Sequence, residues 1–193
     1  MIRSRNSSPG RTGCRRRTAF ALLPFLTRGG GTTTVNAGAG LVLNNTAGTI
    51  QRLATRPVVL NGARLDILGV PGGPTAETIS AGTLSFSTAA SVITLAPGAA
   101  GSVQINLSGT NNTVARTATG TGLVRGLGLG LGSPGTLDTS TVNFATTAPT
   151  AIGEAGAAGT KNRAILPWLL LDQSATGLGT SFAAFTAAGA SRS

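Results

Sequence analysis

The chain has 193 residues, enough for one domain with a sizeable core, so its size requires neither disulfides nor a structural metal. Its 15 basic and 5 acidic residues give a net charge of +10, and it contains no histidine and one cysteine. The lack of histidine excludes Ser-His-Asp and Cys-His catalysis and imidazole metal sites. The lone Cys14 cannot form an intrachain disulfide.

The basic charge is concentrated in residues 1–28. Seven arginines and no acid lie there, whereas residues 29–191 hold seven basic and five acidic residues. An apolar run, 18–26, follows an arginine cluster in the order of a signal peptide, but Pro24 interrupts it and no small-residue cleavage site follows. We predict a basic arm or degenerate signal, disordered or packed in part on the first turn of the domain.

Short strand-like segments recur along the body of the chain. Their cores follow one another at a nearly constant interval and lie at 65–67, 84–86, 103–105, 123–124 and 142–144. Turn signals rich in Gly, Pro and Asn separate them, at 69–75, 96–101, 108–112 and 126–135. Further apolar runs, at 58–60 and 92–95, indicate two or three short strands in each period. This pattern predicts an all-β fold, a parallel β-helix with roughly 19 to 20 residues per turn.

The alternative is a β-sandwich of antiparallel hairpins, which also has short, regularly spaced strands. Two-residue hairpin turns are nearly absent, Asn61-Gly62 being the exception, and this favours the β-helix. In the β-helix, 84–86 and 103–105 are parallel neighbours, with aliphatic residues such as Val103 and Ile105 inward and Gln104 and Asn106 outward. Antiparallel pairing through Pro97-Gly98 would contradict it.

Residues 30–44 carry a recognisable pattern, GGTTTVNAGAGLVLN. Its defining residues are Gly30, Gly31, Thr32, Thr33, Val35, Ala37, Gly38, Leu41, Leu43 and Asn44. The pattern resembles the autotransporter-associated β-strand repeat proteins, and with weaker downstream similarity the resemblance covers roughly 29–188. It implies a right-handed parallel β-helix, exported and displayed at the cell surface or released, that acts as a stalk or adhesive scaffold.

The same residues have structural roles that follow from their chemistry. We expect Val35, Leu41 and Leu43 to fill the interior, and Gly38 to adopt a turn conformation. Asn44 or Asn45 would stack in a side-chain ladder at a corner.

The five acids, Asp66, Glu77, Asp138, Glu154 and Asp172, are scattered along the chain. A polysaccharide-cleaving β-helix enzyme requires clustered carboxylates with basic partners on one face. Only Asp66 and Glu77 are near enough in sequence to approach each other across a turn, and solvated surface acids are the default expectation. The GLGSPG stretch at 130–135 is interpreted as a turn, because no helix pattern follows it. We predict no catalytic, cofactor-binding or metal-binding residues.

The most apolar run of the body, 164–173, contains the single tryptophan, Trp168, and is expected to be a buried closing strand rather than a ligand groove. We predict a β-helix domain over 29–181 and a small-residue tail over 182–193. The predicted function is that of a non-catalytic structural or adhesive segment of an exported or cell-surface protein, either whole or a fragment of a longer passenger.

The predicted partners are glycans or other surface proteins, with no cofactor and no membrane span. Two alternatives are kept. The first is a carbohydrate-active β-helix enzyme of the lyase or hydrolase kind. The second is nucleic-acid binding by the arginine arm, which requires a strong salt dependence that disappears when residues 1–28 are deleted.

Overall fold

The computed structural model describes residues 31–80, 82–108, 114–131, 135–144, 149–154, 163–185 and 191–192. The predicted arm over 1–28, most of the turn at 108–112 and part of the turn at 130–135 lie outside these residues. The described part is all β, without a helix. Its strands are β1 Thr33–Val35, β2 Gly40–Asn44, β3 Val58–Leu60, β4 Arg64–Leu68, β5 Pro74–Ile79, β6 Leu84–Phe86, β7 Ala90–Ala96, β8 Ser102–Leu107, β9 Val114–Arg116, β10 Thr121–Gly126, β11 Thr139–Phe144, β12 Ile165–Asp172, β13 Ser181–Phe185 and β14 Ser191–Arg192.

The strands form three sheets that run along a β-solenoid of about three turns. Sheet A has the order β14-β13-β12-β10-β7-β4-β2, sheet B the order β1-β3-β6-β9, and sheet C the order β11-β8-β5. All pairs in sheets B and C are parallel, as are the sheet A pairs from β2 to β12. The predicted fold class is therefore confirmed, and the β-sandwich alternative is wrong.

Each complete turn contributes one strand to each sheet, in the order B, A, C. The three complete turns are β3-β4-β5, β6-β7-β8 and β9-β10-β11. They are preceded by a partial turn, β1 and β2, and followed by β12 in sheet A. Three short strands in a turn agree with the upper value expected from the sequence.

The predicted length of a turn is wrong. The register pairs Leu65 with Ile93 and Glu77 with Ile105, so a turn here takes roughly 28 residues, a length common among solenoid repeats. The segments 84–86 and 103–105 are not neighbours, since β6 pairs with β3 and β9 in sheet B while β8 pairs with β5 and β11 in sheet C. The first three intervals seen in the sequence each cover two strands, from β4 to β10, whereas a complete turn consists of three.

The turn signals at 69–75 and 96–101 stack on one another at the corner between sheets A and C. The amide of Gly69 donates to Ala96 O at 2.8 Å, and Gly72 N donates to Ala99 O at 2.9 Å. A Cβ at Gly98 would lie 2.5 Å from Pro71 N, and one at Gly101 would lie 2.4 Å from Val70 O. Glycine is required at these two positions because consecutive corners approach backbone to backbone.

The core is the interior of the solenoid, where inward side chains form rows that cross from turn to turn. In sheet C one row consists of Ile79, Leu107 and Phe144, and in sheet A another contains Leu65 and Ile93. The expected interior residues Val35, Leu41 and Leu43 are buried, and Gly38 has a φ of 76°, as predicted. Each fully buried aliphatic side chain contributes about 1.5–3 kcal/mol.

Sheet A ends differently from the other two sheets. β12 is its last parallel strand, and β13 and β14 follow as antiparallel strands. Trp168 on β12 is half-buried and meets Phe86 in a tilted ring contact, with ring centroids 5.9 Å apart. β13 spans the predicted domain boundary at residue 181.

Candidate functional site

The outer face of sheet C is rich in uncharged polar side chains. Because Val103, Ile105 and Leu107 point inward and are fully buried, the alternate residues of β8 point outward. The register places the outward residues of β5 and β11 beside them. We call the polar members of this surface the neutral face: Thr78, Ser102, Gln104, Asn106, Thr139, Thr141 and Asn143.

The neutral face combines one contact between asparagine side chains with polar groups that differ in exposure. Asn143 Nδ2 donates to Asn106 Oδ1 across β11 and β8 at 3.5 Å. Ser102 Oγ and Gln104 Oε1 are buried without a hydrogen-bond partner. Thr141 is buried, while Gln104, Asn106 and Asn143 are partly exposed. Neighbouring side chains lie roughly 4.8 Å apart across strands and roughly 6.6 Å apart along a strand.

The outer face of sheet A carries a charged row instead. The register brings Asp66, Thr94, Arg125 and Asp172 side by side on β4, β7, β10 and β12. Sequence reasoning missed this row because it depends on the true length of the turns. Asp66 and Asp172 are buried, contrary to the expectation that they are solvated.

The polar groups of the charged row already have partners within the chain. Arg64 Nη2 contacts Asp66 Oδ2 at 2.6 Å, and Arg125 donates to Thr94 Oγ1 and to Gly177 O, each at 3.1 Å. Asp172 accepts the amides of Ser174 and Gly179, each at 2.9 Å. These contacts hold the loop 173–180 against the sheet, so the row has a structural role.

The spacing of the row also disfavours hydrolysis by two carboxylates. Asp66 and Asp172 are three strand steps apart, roughly 14 Å, because neighbouring strands lie about 4.8 Å apart. Glycosidase carboxyl pairs are separated by about 5 to 9.5 Å. The two acids at the ends of the row are therefore too far apart for that chemistry.

Glu77 lies in the interior and is fully buried, so the expectation of a solvated acid is wrong for this residue as well. Its carboxylate accepts the amides of Arg52 and Leu53 at 3.0 and 3.4 Å and Asn45 Nδ2 at 3.3 Å. Arg52 Nη1 lies 3.5 Å from Glu77 Oε1. The carboxylate is tied to residues 45–53, while Asp66 is paired with Arg64, so the structure does not join the two acids in one site.

Asn45 is part of this buried cluster, so the predicted asparagine ladder at 44–45 is wrong. Its Oδ1 accepts Ile50 N at 3.1 Å and also Arg52 Nη1. Asn44 is exposed and its Oδ1 accepts Thr46 N at 3.0 Å. The asparagine pair that does stack is Asn106 and Asn143 on the neutral face.

The two remaining acids and the cavity near the last turn do not form a catalytic or metal-binding arrangement. Asp138 and Glu154 are exposed, as predicted. A small cavity near the last turn is lined entirely by apolar side chains, including Val124, Val142 and Leu171. Within the described ranges there is no group of three or more potential metal-ligating side chains, and no helix long and apolar enough to cross a bilayer.

The fold defines the chain as a β-solenoid protein with two chemically distinct outer faces. A scan against protein-family models gives no match, and searches of curated proteins and of solved structures give none either.

Proposed function

We propose that the chain is a non-catalytic structural and adhesive segment of an exported or cell-surface protein, and that the neutral face binds glycans. The observation that carries this proposal is the neutral face itself. Its partly exposed hydroxyl and amide groups come from three parallel strands in register, with no charged side chain among the outward positions.

The chemistry of this surface suits carbohydrate hydroxyls. Asparagine and glutamine side chains both donate and accept hydrogen bonds, as sugar hydroxyls do. Each such bond contributes only about 0.5–1.5 kcal/mol, so binding would depend on several contacts repeated along the sheet. The resemblance of residues 30–44 to the autotransporter-associated repeats supports the cell-surface setting.

A glycan array followed by titration calorimetry tests the proposal with three variants. We expect Asn106→Ala and Asn143→Ala each to weaken binding of the selected glycan about fivefold, because each removes roughly one hydrogen bond. Asn36→Ala is the matched control, since Asn36 is an exposed asparagine in the turn after β1, away from sheet C, and it should bind as the wild type does.

Two results would contradict the proposal. Equal binding by the wild type and both neutral-face variants would remove this surface as the glycan site. Turnover of any polysaccharide in the same panel would instead favour the alternative of a carbohydrate-active β-helix enzyme. Nucleic-acid binding by the arm stays a prediction, because residues 1–28 lie outside the described part of the chain.

A further inference from the structure

One row of polar side chains crosses sheet C from its first strand to its last. It consists of Thr78 on β5, Asn106 on β8 and Asn143 on β11, which are register partners. All three point outward and are partly exposed. This row, here called the crossing row, therefore offers one accessible polar side chain on each strand of the sheet.

The two other outward rows of sheet C are interrupted. In the middle row Thr141 is buried and β5 contributes Ala76. In the third row Ser102 is buried and β5 contributes Pro74. Of the three rows within the strands, only the crossing row has a polar and partly exposed side chain on every strand.

The crossing row keeps hydrogen-bonding atoms for a ligand. The contact between the asparagines joins Asn143 Nδ2 to Asn106 Oδ1, which leaves Asn106 Nδ2 and Asn143 Oδ1 outside that bond. The hydroxyl of Thr78 can both donate and accept. The outward positions of β5, β8 and β11 hold no charged residue. An ionised ligand group would therefore lose water there without gaining a partner of opposite charge.

We propose that the ligand is a linear, uncharged oligosaccharide that crosses the strands along the crossing row, with one sugar for each strand. This inference rests on the proposed function and adds the orientation, length and charge of the glycan. Neighbouring strands lie about 4.8 Å apart, and a pyranose ring linked through its opposite ends advances by a similar distance. Three sugars therefore span the three strands of sheet C.

NMR titration of the intact chain tests the proposal, because it follows weak binding and resolves the side-chain amides of Asn106 and Asn143. The probes are cello-, manno- and xylo-oligosaccharides, each as the disaccharide, the trisaccharide and the tetrasaccharide. In at least one series, affinity should rise about two- to fivefold from the disaccharide to the trisaccharide, because the third sugar gains roughly one hydrogen bond. The tetrasaccharide should bind within about twofold of the trisaccharide, because its fourth sugar meets no further strand.

Three variants separate the middle of the crossing row from its ends. Every disaccharide placed along the row covers β8, so Asn106→Ala should weaken the disaccharide and the trisaccharide alike, each about fivefold. A disaccharide can avoid either end strand. Asn143→Ala and Thr78→Val should therefore weaken the trisaccharide about fivefold and the disaccharide by no more than about twofold. Asn36→Ala, the control used above, should leave both affinities unchanged.

Oligogalacturonate of matched length tests the exclusion of charge. Its carboxylates find no cation on the outer face of sheet C, so any binding that it shows should come from basic residues elsewhere on the chain. We expect that binding to be the same in the wild type and in Asn106→Ala.

Several results would overturn the proposal. Equal losses for both lengths in all three row variants would show that the glycan does not cross the strands. Oligogalacturonate binding that depends on Asn106 would show that charge is not excluded. Failure of all three neutral series would also overturn it, but the proposed function would stand if another glycan from the array still depended on Asn106 and Asn143. Glycan binding that is insensitive to both asparagines would remove the proposed function as well.

Discussion

At the residue scale, the burial of Glu77 shows how one carboxylate organises a loop. A buried charge is tolerated only with partners, and Glu77 has two backbone amides, an asparagine amide and a guanidinium. Arg52 is itself partly exposed, with 19% of its side chain accessible, so it joins the buried carboxylate to the surface. The cluster stabilises the first, partial turn of the solenoid.

Replacing Glu77 with alanine should lower the free energy of unfolding by about 2–4 kcal/mol, because the partners of the carboxylate are left without an acceptor. Urea denaturation measures the change. Glu154→Ala is the matched control, since Glu154 is exposed and its replacement should alter stability by no more than about 0.5 kcal/mol. Equal stability of the two variants would contradict the structural role of Glu77.

The sequence predicted the environments of individual acids only in part. The expectation that the acids are exposed to solvent is confirmed for Asp138 and Glu154, which lie in exposed loops. It fails for Asp66, Glu77 and Asp172 because their partners come from chain segments that the fold brings together. The alternation of residues within a strand predicts whether a side chain points inward or outward. It does not predict which distant loop covers that side chain.

At the element scale, the strands and turns were predictable, while their assignment to turns of the solenoid was not. The predicted cores lie on β4, β6, β8, β10 and β11, which belong to sheets A, B, C, A and C. From β4 to β10 the predicted cores lie on every second strand. Their regular interval is therefore the length of two strands with their connecting turns, and not the length of one turn of the solenoid. The corners at 69–75 and 96–101 carried the true period, since they stack directly on one another.

Gly122 of β10 lies in close contact with side chains of two other strands, β6 in sheet B and β12 in sheet A. A Cβ there would lie 2.5 Å from Phe86 Cε1 and 2.7 Å from Leu169 Cδ1. Gly122→Ala should therefore cost about 1–3 kcal/mol through overpacking. Gly40→Ala on β2 is the matched control, because its Cβ would meet only Arg64 Cβ at 3.8 Å.

A double-mutant cycle checks the cause of that effect. Phe86→Leu should relieve part of the Gly122→Ala destabilisation, with an interaction energy of about 0.5–3 kcal/mol in thermal or urea unfolding. Strict additivity of the two substitutions would show that the Phe86 ring is not what excludes a side chain at position 122.

At the scale of the whole molecule, the solenoid separates its chemistry onto different faces. Sheet C presents the neutral face, while sheet A carries the charged row and the loop 173–180 that is bound to it. The sequence predicted that Gln104 and Asn106 point outward. It did not show which outward residues share a face, because that depends on register.

The central claim is a parallel solenoid in which each complete turn consists of three strands, one in each sheet. Disulfide cross-linking in a Cys14→Ser background tests it directly. Thr78→Cys with Asn106→Cys should form an intrachain disulfide, since these residues are partners on β5 and β8 and neighbouring strands lie about 4.8 Å apart. Ser85→Cys with Gln104→Cys, which the shorter sequence interval would place side by side but which lie on different sheets, should remain reduced. Cross-linking of the second pair without the first would contradict the account.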